Sequence, residues 1–447
     1  MWSKVCWLST TLKIVGIAAH YLVAASVISV GPAAADPLQT PQQSEEAALR
    51  QELERIAKED PQRAADALKT LEALDHPASS PQGRPLRNRR ERGARRIVNG
   101  IQTIRHSAVA AVLRGSDAST ATAWCTGTLV GCDKILTAAH CIEEDPTPTG
   151  YLAYFPTLGF FQVKNIAWLK DDYRFPYADL AILTLDKSVE GIAPISLNSA
   201  ASPINGSIGS IVGYGRTGGK KQDYGIKREG SVKFGACKGD YTDQKLLCWD
   251  FDSDINVSPQ DSNTCNADSG GGVFMLDRVG QQSVQRVVGV VSGGLDDSDC
   301  VKGDHSYNTD VFQWREWLAT AAEGQLSAQT CGGTNIDLPS NLRSALVTLG
   351  PERPEAIFEL AVPPSTGSLR VAMNGEDDGS GKNDFDLVLF EGRASAQPAC
   401  AQAGGGQFAF CEVPRPASGP WRVTLRRKKG AGAAQLAVTI VPEAGQQ

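Results

Sequence analysis

Three short segments carry side chains able to do nucleophilic chemistry. "LTAAHC" holds His140, "YADLAILTL" holds Asp179 and "NADSGGGVF" holds Ser269. Singly, each has an ordinary reading. A histidine before a cysteine is commonly a packed loop residue, an aspartate opening an apolar strand a cap, and a serine among glycines a turn. Together they supply the parts of a relay. A serine hydroxyl is a poor nucleophile at neutral pH and needs an imidazole to take its proton. The imidazole in turn needs a carboxylate to fix its tautomer and stabilise its charged form. A fourth segment, "RRIVNG" at 95–100, is either a strand opening after a charged linker or a cleavage site. In the second case a cut after Arg96 makes Ile97 a new N-terminus.

The surrounding chain must position these groups. Its 447 residues suggest two or three domains. A hydrophobic content of 41 % is enough to bury real cores. The net charge of −6 argues against a nucleic-acid partner. Residues 1–35 read as a secretory signal: Lys4 and Lys13, an apolar run at 14–30, then "AAA" before Asp36. A membrane anchor is the competing reading, but the run is 17 residues long and contains His20, whereas spanning takes about 20. No stable membrane insertion is expected once the signal is removed.

Residues 36–96 read as a pro-segment. Leu49, Leu53 and Ile56, then Leu68, Leu71 and Leu74, fall at helical spacing. Asp60 and Pro61 form a helix start between the two runs. The Pro-, Ser- and Arg-rich stretch that follows has no apolar period and reads as an exposed linker. Residues 97–325 hold many short apolar runs separated by Gly, Pro, Asp and Asn, which argues for a barrel or sandwich. "VFQWREWLATAAEGQL" is the one clear helix there. Residues 336–447 form a second β unit, whose alternation in "FDLVLF" and "WRVTLR" suggests a two-layer sandwich. The expected fold is all-β with a short helical pro-segment.

On "IVNG", "TAAHC", "DLAIL", "VGYGRT", "DSGG" and "VFQWREWL", in that order, residues 97–325 resemble the chymotrypsin/trypsin-like serine peptidases. The resemblance implies two six-stranded antiparallel β-barrels with the site between them. It implies His140 as general base and then acid, Asp179 as its orienting carboxylate, and Ser269 as the acylated nucleophile. Ala267 and Ser269 would supply the two oxyanion N–H donors. The activation set would be Arg96, Ile97 and Asp268: cleavage by a separate protease after Arg96 frees an amine that pairs with Asp268. No cofactor and no metal is implied, and the substrates would be polypeptides.

The chain departs from the family pattern at several places. Ala267 stands where the family has glycine. Either its peptide flips, leaving one oxyanion donor, or it holds the glycine conformation under strain. Asn263 replaces the acid at the base of the pocket. Gly293, within a pocket wall that includes Ser292 and Gly294, replaces a usual tryptophan. His305 or Ser306 falls at the far wall. A polar pocket with a histidine suggests neutral polar or acidic substrate side chains.

Cys6 leaves with the signal, and the remaining ten cysteines are an even number in an exported chain, as disulfides require. The family resemblance implies Cys125–Cys141, Cys265–Cys300 and Cys237–Cys248. Cys400–Cys411 would close a tail loop, and Cys132–Cys331 would tie the peptidase region to the tail. The tail is similar to the prepeptidase C-terminal domains of secreted bacterial proteases, on "GSLRVAMNG", "NDFDLVLFEG" and "GPWRVTLRR". The acidic stretch at 374–386 reads as a solvated loop rather than a Ca²⁺ site, because it lacks EF-hand spacing. Sequons at Asn205 and Asn256 matter only in a eukaryotic route. The composite expectation is a secreted serine endopeptidase zymogen, extracellular or periplasmic and bacterial. The alternatives are a peptidase-fold binding or adhesion protein weakened by Ala267, and an esterase using the same chemistry.

Overall fold

The computed structural model describes residues 97–443 except 220, 222, 240, 243–244, 254–260, 280–281, 296–298, 327–328, 334, 337–340, 378–382 and 403–405. The signal (1–35), the pro-segment (36–96, with Arg96) and the Asn256 sequon lie outside the described residues. The fold is mostly β, as expected. Among the described residues no helix is long and apolar enough to cross a membrane.

The first six-strand set closes into a barrel in the order Val109–Arg114, Thr122–Gly131, Lys134–Thr137, Ala181–Leu185, Gly159–Trp168 and Tyr151–Phe155. Two of its strands are buried on both faces, all of Tyr151–Phe155 and Ala181–Leu185. One face fills the barrel and the other is covered by neighbouring elements. Tyr154 shows the second kind, packing on Phe408 of the tail with ring centroids 4.9 Å apart.

The second region has six main strands: Ile208–Gly213, Arg228–Lys233, Leu246–Asp250, Gly272–Val279, Gln282–Gly294 and His305–Asp310. Two short strands, Ile101–Gln102 and Ser196–Leu197, add to it, giving an eight-stranded sheet. An isolated antiparallel bridge from Gly235 to Cys248 joins the two ends of the main set. The terminal helix begins as a 3₁₀ turn, Val311–Trp314, and becomes α-helical over Arg315–Ala321. The Asp310 carboxylate caps it by accepting from Phe312 N at 3.0 Å.

The tail has two four-stranded antiparallel sheets. One contains Leu342–Leu349, Gly432–Pro442, Thr366–Gly375 and Phe408–Pro414; the other contains Glu355–Val362, Gly419–Lys429, Asp384–Glu391 and Cys400–Gln402. Their inner faces share one apolar core that includes Phe358, Leu369, Met373, Leu387, Trp421 and Leu436. The outer face of the first sheet is not left to solvent. Ala372, Phe408 and Ala437 belong to the same apolar cluster as the barrel. The two regions therefore share a buried interface.

All five cysteine pairs are bonded: Cys125–Cys141, Cys132–Cys331, Cys237–Cys248, Cys265–Cys300 and Cys400–Cys411. Cys132–Cys331 closes the longest loop, with a sequence separation of 199. In chain-entropy terms such a crosslink stabilises by about 5 kcal/mol.

Candidate active site

Asp179 is fully buried and turns both carboxylate oxygens to His140. Oδ1 accepts the His140 backbone N–H at 2.9 Å and Oδ2 lies 2.7 Å from Nδ1. A carboxylate only accepts, so Nδ1 carries the proton and Nε2 is left as the basic nitrogen. The backbone contact locks the loop while the ring contact locks the ring. Burial alone would pull the imidazolium pKa down. The Asp179 charge and hydrogen bond, with Glu143 nearby, outweigh it and hold His140 above its ordinary value.

The loop carrying Ser269 packs against this segment. The Ser269 carbonyl accepts Thr126 N at 2.8 Å and lies 3.8 Å from Sγ of Cys141, the residue after His140. At Gly270 a Cβ would fall 2.0 Å from Thr137 Oγ1 and 2.9 Å from Ala138 N. Glycine is required there by close approach to the histidine loop. Ser269 itself is half-buried.

Ala267 has φ +69°, so it holds the left-handed conformation usual for glycine. The preceding peptide is not left free to turn: the Asn266 carbonyl accepts Arg216 N at 3.1 Å. In a trans peptide the N–H of Ala267 then points the opposite way. The following carbonyl, of Ala267, accepts Thr126 Oγ1 at 2.8 Å. Among the described residues, neither Ala267 N nor Ser269 N donates to a protein acceptor.

Residues 97–318 match the Trypsin family model. The match supports the chymotrypsin/trypsin-like serine peptidase family for this region. At low identity the region is similar to a trypsin of Saccharopolyspora erythraea, 28 % identical over 186 residues, covering 38 % of this chain and 75 % of that one. It is similar to the thrombin-like enzyme calobin-1 of Gloydius ussuriensis, 26 % over 225 residues, covering 46 % and 80 %. It also resembles the platelet-aggregating proteinase PA-BJ of Bothrops jararaca, 25 % over 232 residues, covering 46 % and 87 %.

In this trypsin-like region residues 97–98 are already docked in the uncut chain. Ile97 and Val98 are buried, and Asn263 N donates to Val98 O at 3.1 Å. Asp268 is fully buried and accepts Gly215 N at 2.8 Å and Cys265 N at 2.9 Å. Burial pushes its pKa up to about 7, against those two hydrogen bonds and the charge of Arg228. The glycines of "VGYG" exist for this carboxylate. A Cβ at Gly213 or Gly215 would stand 2.1 Å or 2.5 Å from it.

The pocket residues divide. Asn263 accepts from Ser306 Oγ at 2.7 Å and from Trp249 Nε1 at 3.2 Å, which puts Ser306 directly against Asn263. Ser292 Oγ lies 3.3 Å from Thr309 Oγ1, which in turn reaches the Asp179 carbonyl at 3.4 Å. His305 does not face this pocket. Strand alternation turns it to the other side, where Nδ1 meets Asp250 Oδ1 at 2.8 Å and Nε2 accepts Lys238 N at 3.2 Å. The acidic neighbour on the Asn263 side is Asp304. Its Oδ2 accepts from Asn263 Nδ2 at 2.7 Å, and its carboxylate fills the space where a Cβ on Gly294 would stand.

The tryptophan missing at Gly293 is also replaced in space. A Cβ there would meet Tyr307 at 2.9 Å and Phe175 at 3.0 Å. Phe175 stands edge-on to His140, centroids 5.5 Å apart, and is 46 % exposed. Cys125, His140 and Cys141 cluster closely enough to suggest a metal site. The two sulfurs are bonded to each other, however, and offer no thiolate. The "EDD" of the acidic tail loop includes 378, outside the described residues. Its described neighbours Asn374 and Asp377 are engaged at the interface with the peptidase region.

Proposed function

We propose that the chain is the precursor of an exported serine endopeptidase, activated by cleavage after Arg96, that cuts polypeptides after basic side chains. The observation carrying the reading is the pairing of an oriented, basic Nε2 on His140 with two uncommitted N–H donors at Ala267 and Ser269. Ser269 Oγ adds to the scissile carbonyl as its proton passes to His140 Nε2. The oxygen that becomes negative takes the N–H groups of Ala267 and Ser269. The C–N bond breaks as His140 returns the proton to the leaving amine. Water then adds to the acyl ester by the same route and Ser269 is regenerated. Asp179, hydrogen-bonded to Nδ1, steadies the imidazolium.

After cleavage the Ile97 amine, with an ordinary pKa of about 7.7–8.0, is charged at neutral pH. It pairs with Asp268 and compensates a carboxylate that burial otherwise drives toward neutrality. Selection at the scissile bond rests on Asp304. It returns to the pocket the negative charge that Asn263 lacks, so Lys or Arg is the favoured side chain. Cys132–Cys331 fastens to the barrel the connection that leads into the β-sandwich tail.

A fluorophosphonate probe and a fluorogenic peptide panel, varied at the residue before the cut, test this on protein beginning at Ile97. Labelling that Ser269→Ala abolishes is expected. So is a preference for Lys and Arg over Gln that Asp304→Asn lowers roughly 10- to 100-fold, the worth of one charged hydrogen bond. Correctly processed protein that takes no label would instead support the binding-protein reading. Labelled protein preferring acidic or apolar side chains would overturn the role of Asp304 alone.

A further inference from the structure

The tail does more than cover the barrel: it grips the segment that holds the nucleophile loop. That segment runs from Tyr214 to Arg228. Tyr224 and Asp377 of the tail exchange backbone hydrogen bonds, at 3.0 and 3.2 Å. Gln407 of the tail donates Nε2 to the Tyr224 carbonyl at 2.8 Å, while its Oε1 accepts Ala123 N of the barrel at 3.0 Å. Gln435 accepts Lys227 N at 3.2 Å and donates to Thr103 O at 3.0 Å. Between these grips sits Gly225, with φ +103°. A Cβ there would lie 2.2 Å from Gln407 Nε2 and 2.6 Å from Gly375 O. The chain passes the tail with no room for a side chain.

The same segment reaches the catalytic loop by two short links. The Arg228 side chain is 1 % exposed; Nη2 is 3.8 Å from Glu376 Oε1 of the tail, and Nη1 donates to Gly215 O at 3.1 Å and Ile226 O at 2.7 Å. The other side of that glycine, its N–H, donates to Asp268, the residue before Ser269. The next residue, Arg216, donates its N–H to the carbonyl that fixes the Ala267 peptide. Glu376 is itself held by Ala433 N at 2.7 Å, on a tail strand. From tail strand to the Ala267 peptide runs a chain of polar contacts, hydrogen-bonded throughout except for the 3.8 Å Arg228–Glu376 ion pair.

We infer that the tail sandwich is a positioning element of the catalytic unit: Glu376 and Gln407 hold the 224–228 segment so that Arg228, Gly215 and Arg216 keep Asp268 and the Ala267 N–H in register. Glu376, Gln407 and Arg228 are positioning residues, since none of them touches a reacting atom. The inference rests on the reading of Ser269 as nucleophile. It treats the tail as a working part of the mature enzyme rather than a detachable export or anchoring module.

The test uses the full chain cleaved at Arg96, with Gln407→Ala, Glu376→Gln and the double variant, beside the exposed tail control Arg426→Ala. Peptide kcat and KM, the inhibition constant of a peptide aldehyde and Tm are measured on each. The aldehyde reads the oxyanion donors directly, because its tetrahedral adduct needs the same two N–H groups. Expected are a kcat loss of roughly 10- to 100-fold, the scale of a small misplacement at a reacting centre, with KM held within twofold. Aldehyde affinity falls in proportion, and the double variant loses less than the product of the single losses. Arg426→Ala leaves kcat and aldehyde affinity unchanged. If Glu376→Gln fails to fold, Gln407→Ala carries the measurement, since it leaves the Arg228–Glu376 pair in place. Variants that lower Tm yet keep kcat and aldehyde affinity within twofold of an active parent overturn the inference. A parent that neither turns over peptide nor takes a fluorophosphonate overturns the underlying function and this inference with it.

Discussion

Replacing Ala267 by glycine separates the two possible consequences of the family's missing glycine. The alanine sits at φ +69°, where its Cβ crowds the following carbonyl. Holding one L-residue there costs about 1–2 kcal/mol. Glycine removes that cost but brings a more flexible unfolded chain, worth about 0.4–1 kcal/mol in the other direction. The net expectation for Ala267→Gly is a stability change between about 0 and +1.5 kcal/mol, read as the shift in urea midpoint at constant slope. The effect on catalysis should be small. The Asn266 carbonyl is already held by Arg216 N and the Ala267 carbonyl by Thr126 Oγ1, so both flanking peptides keep their orientation whichever residue is present. Turnover of a peptide amide should stay within threefold of the parent. Regaining a missing oxyanion donor would instead raise kcat by roughly 10²–10³. A rise of that size, with KM unchanged, would refute the reasoning, because it would mean the Ala267 N–H does not point at the reacting carbonyl.

Other perturbations read other parts of the site. His140 is held above its ordinary pKa, so the rate should fall as pH drops through a midpoint above 6.5, the neutral ring being the base. Asp179→Asn, which favours the wrong tautomer, should cut kcat by about 10⁴. In an uncleavable Arg96→Gln precursor, Asp268 is protonated in the fold well above the pH at which it ionises in the unfolded chain. Stability should therefore decline as pH rises from about 4 to about 7, by up to ~4 kcal/mol, and Asp268→Asn should flatten that decline in pH-dependent urea melts. Gly215→Ala should fail to reach an active fold, since its Cβ would overlap the Asp268 carboxylate; wild-type amide turnover in that variant would contradict the packing.

The sequence was legible where chemistry depends on residue type and order, and opaque where it depends on direction. His140 and Asp179, picked from their segments by residue type and order, meet at 2.7 Å in the fold, and three of the five cysteine pairs followed the family pattern. The choice between His305 and Ser306 stayed open because side-chain direction on a strand alternates residue by residue. His305 and Ser306 are neighbours in sequence and face opposite ways, so an uncertainty of one position left open which of them meets Asn263. Phe175 was missed for a different reason. Nothing in "DDYRFPYADL" marks it; its ring reaches to 3.0 Å from where a Cβ on Gly293 would stand and lies edge-on to His140.

The same distinction governs the tail. Its strands were readable from their alternation, but alternation could not say which outer face would be covered. Apolar residues such as Ala372 and Phe408 on that face read equally well as scattered surface residues. What commits the face is polar: Gln407, Gln435 and Asn374 bond to the peptidase region at 2.8–3.2 Å, and buried amides of this kind are costly unless paired. A glutamine in a strand carries no such signal in one sequence, because its partner is a backbone group some two to three hundred positions away. The interface therefore surfaces only in three dimensions, and with it the route by which the tail bears on Ser269.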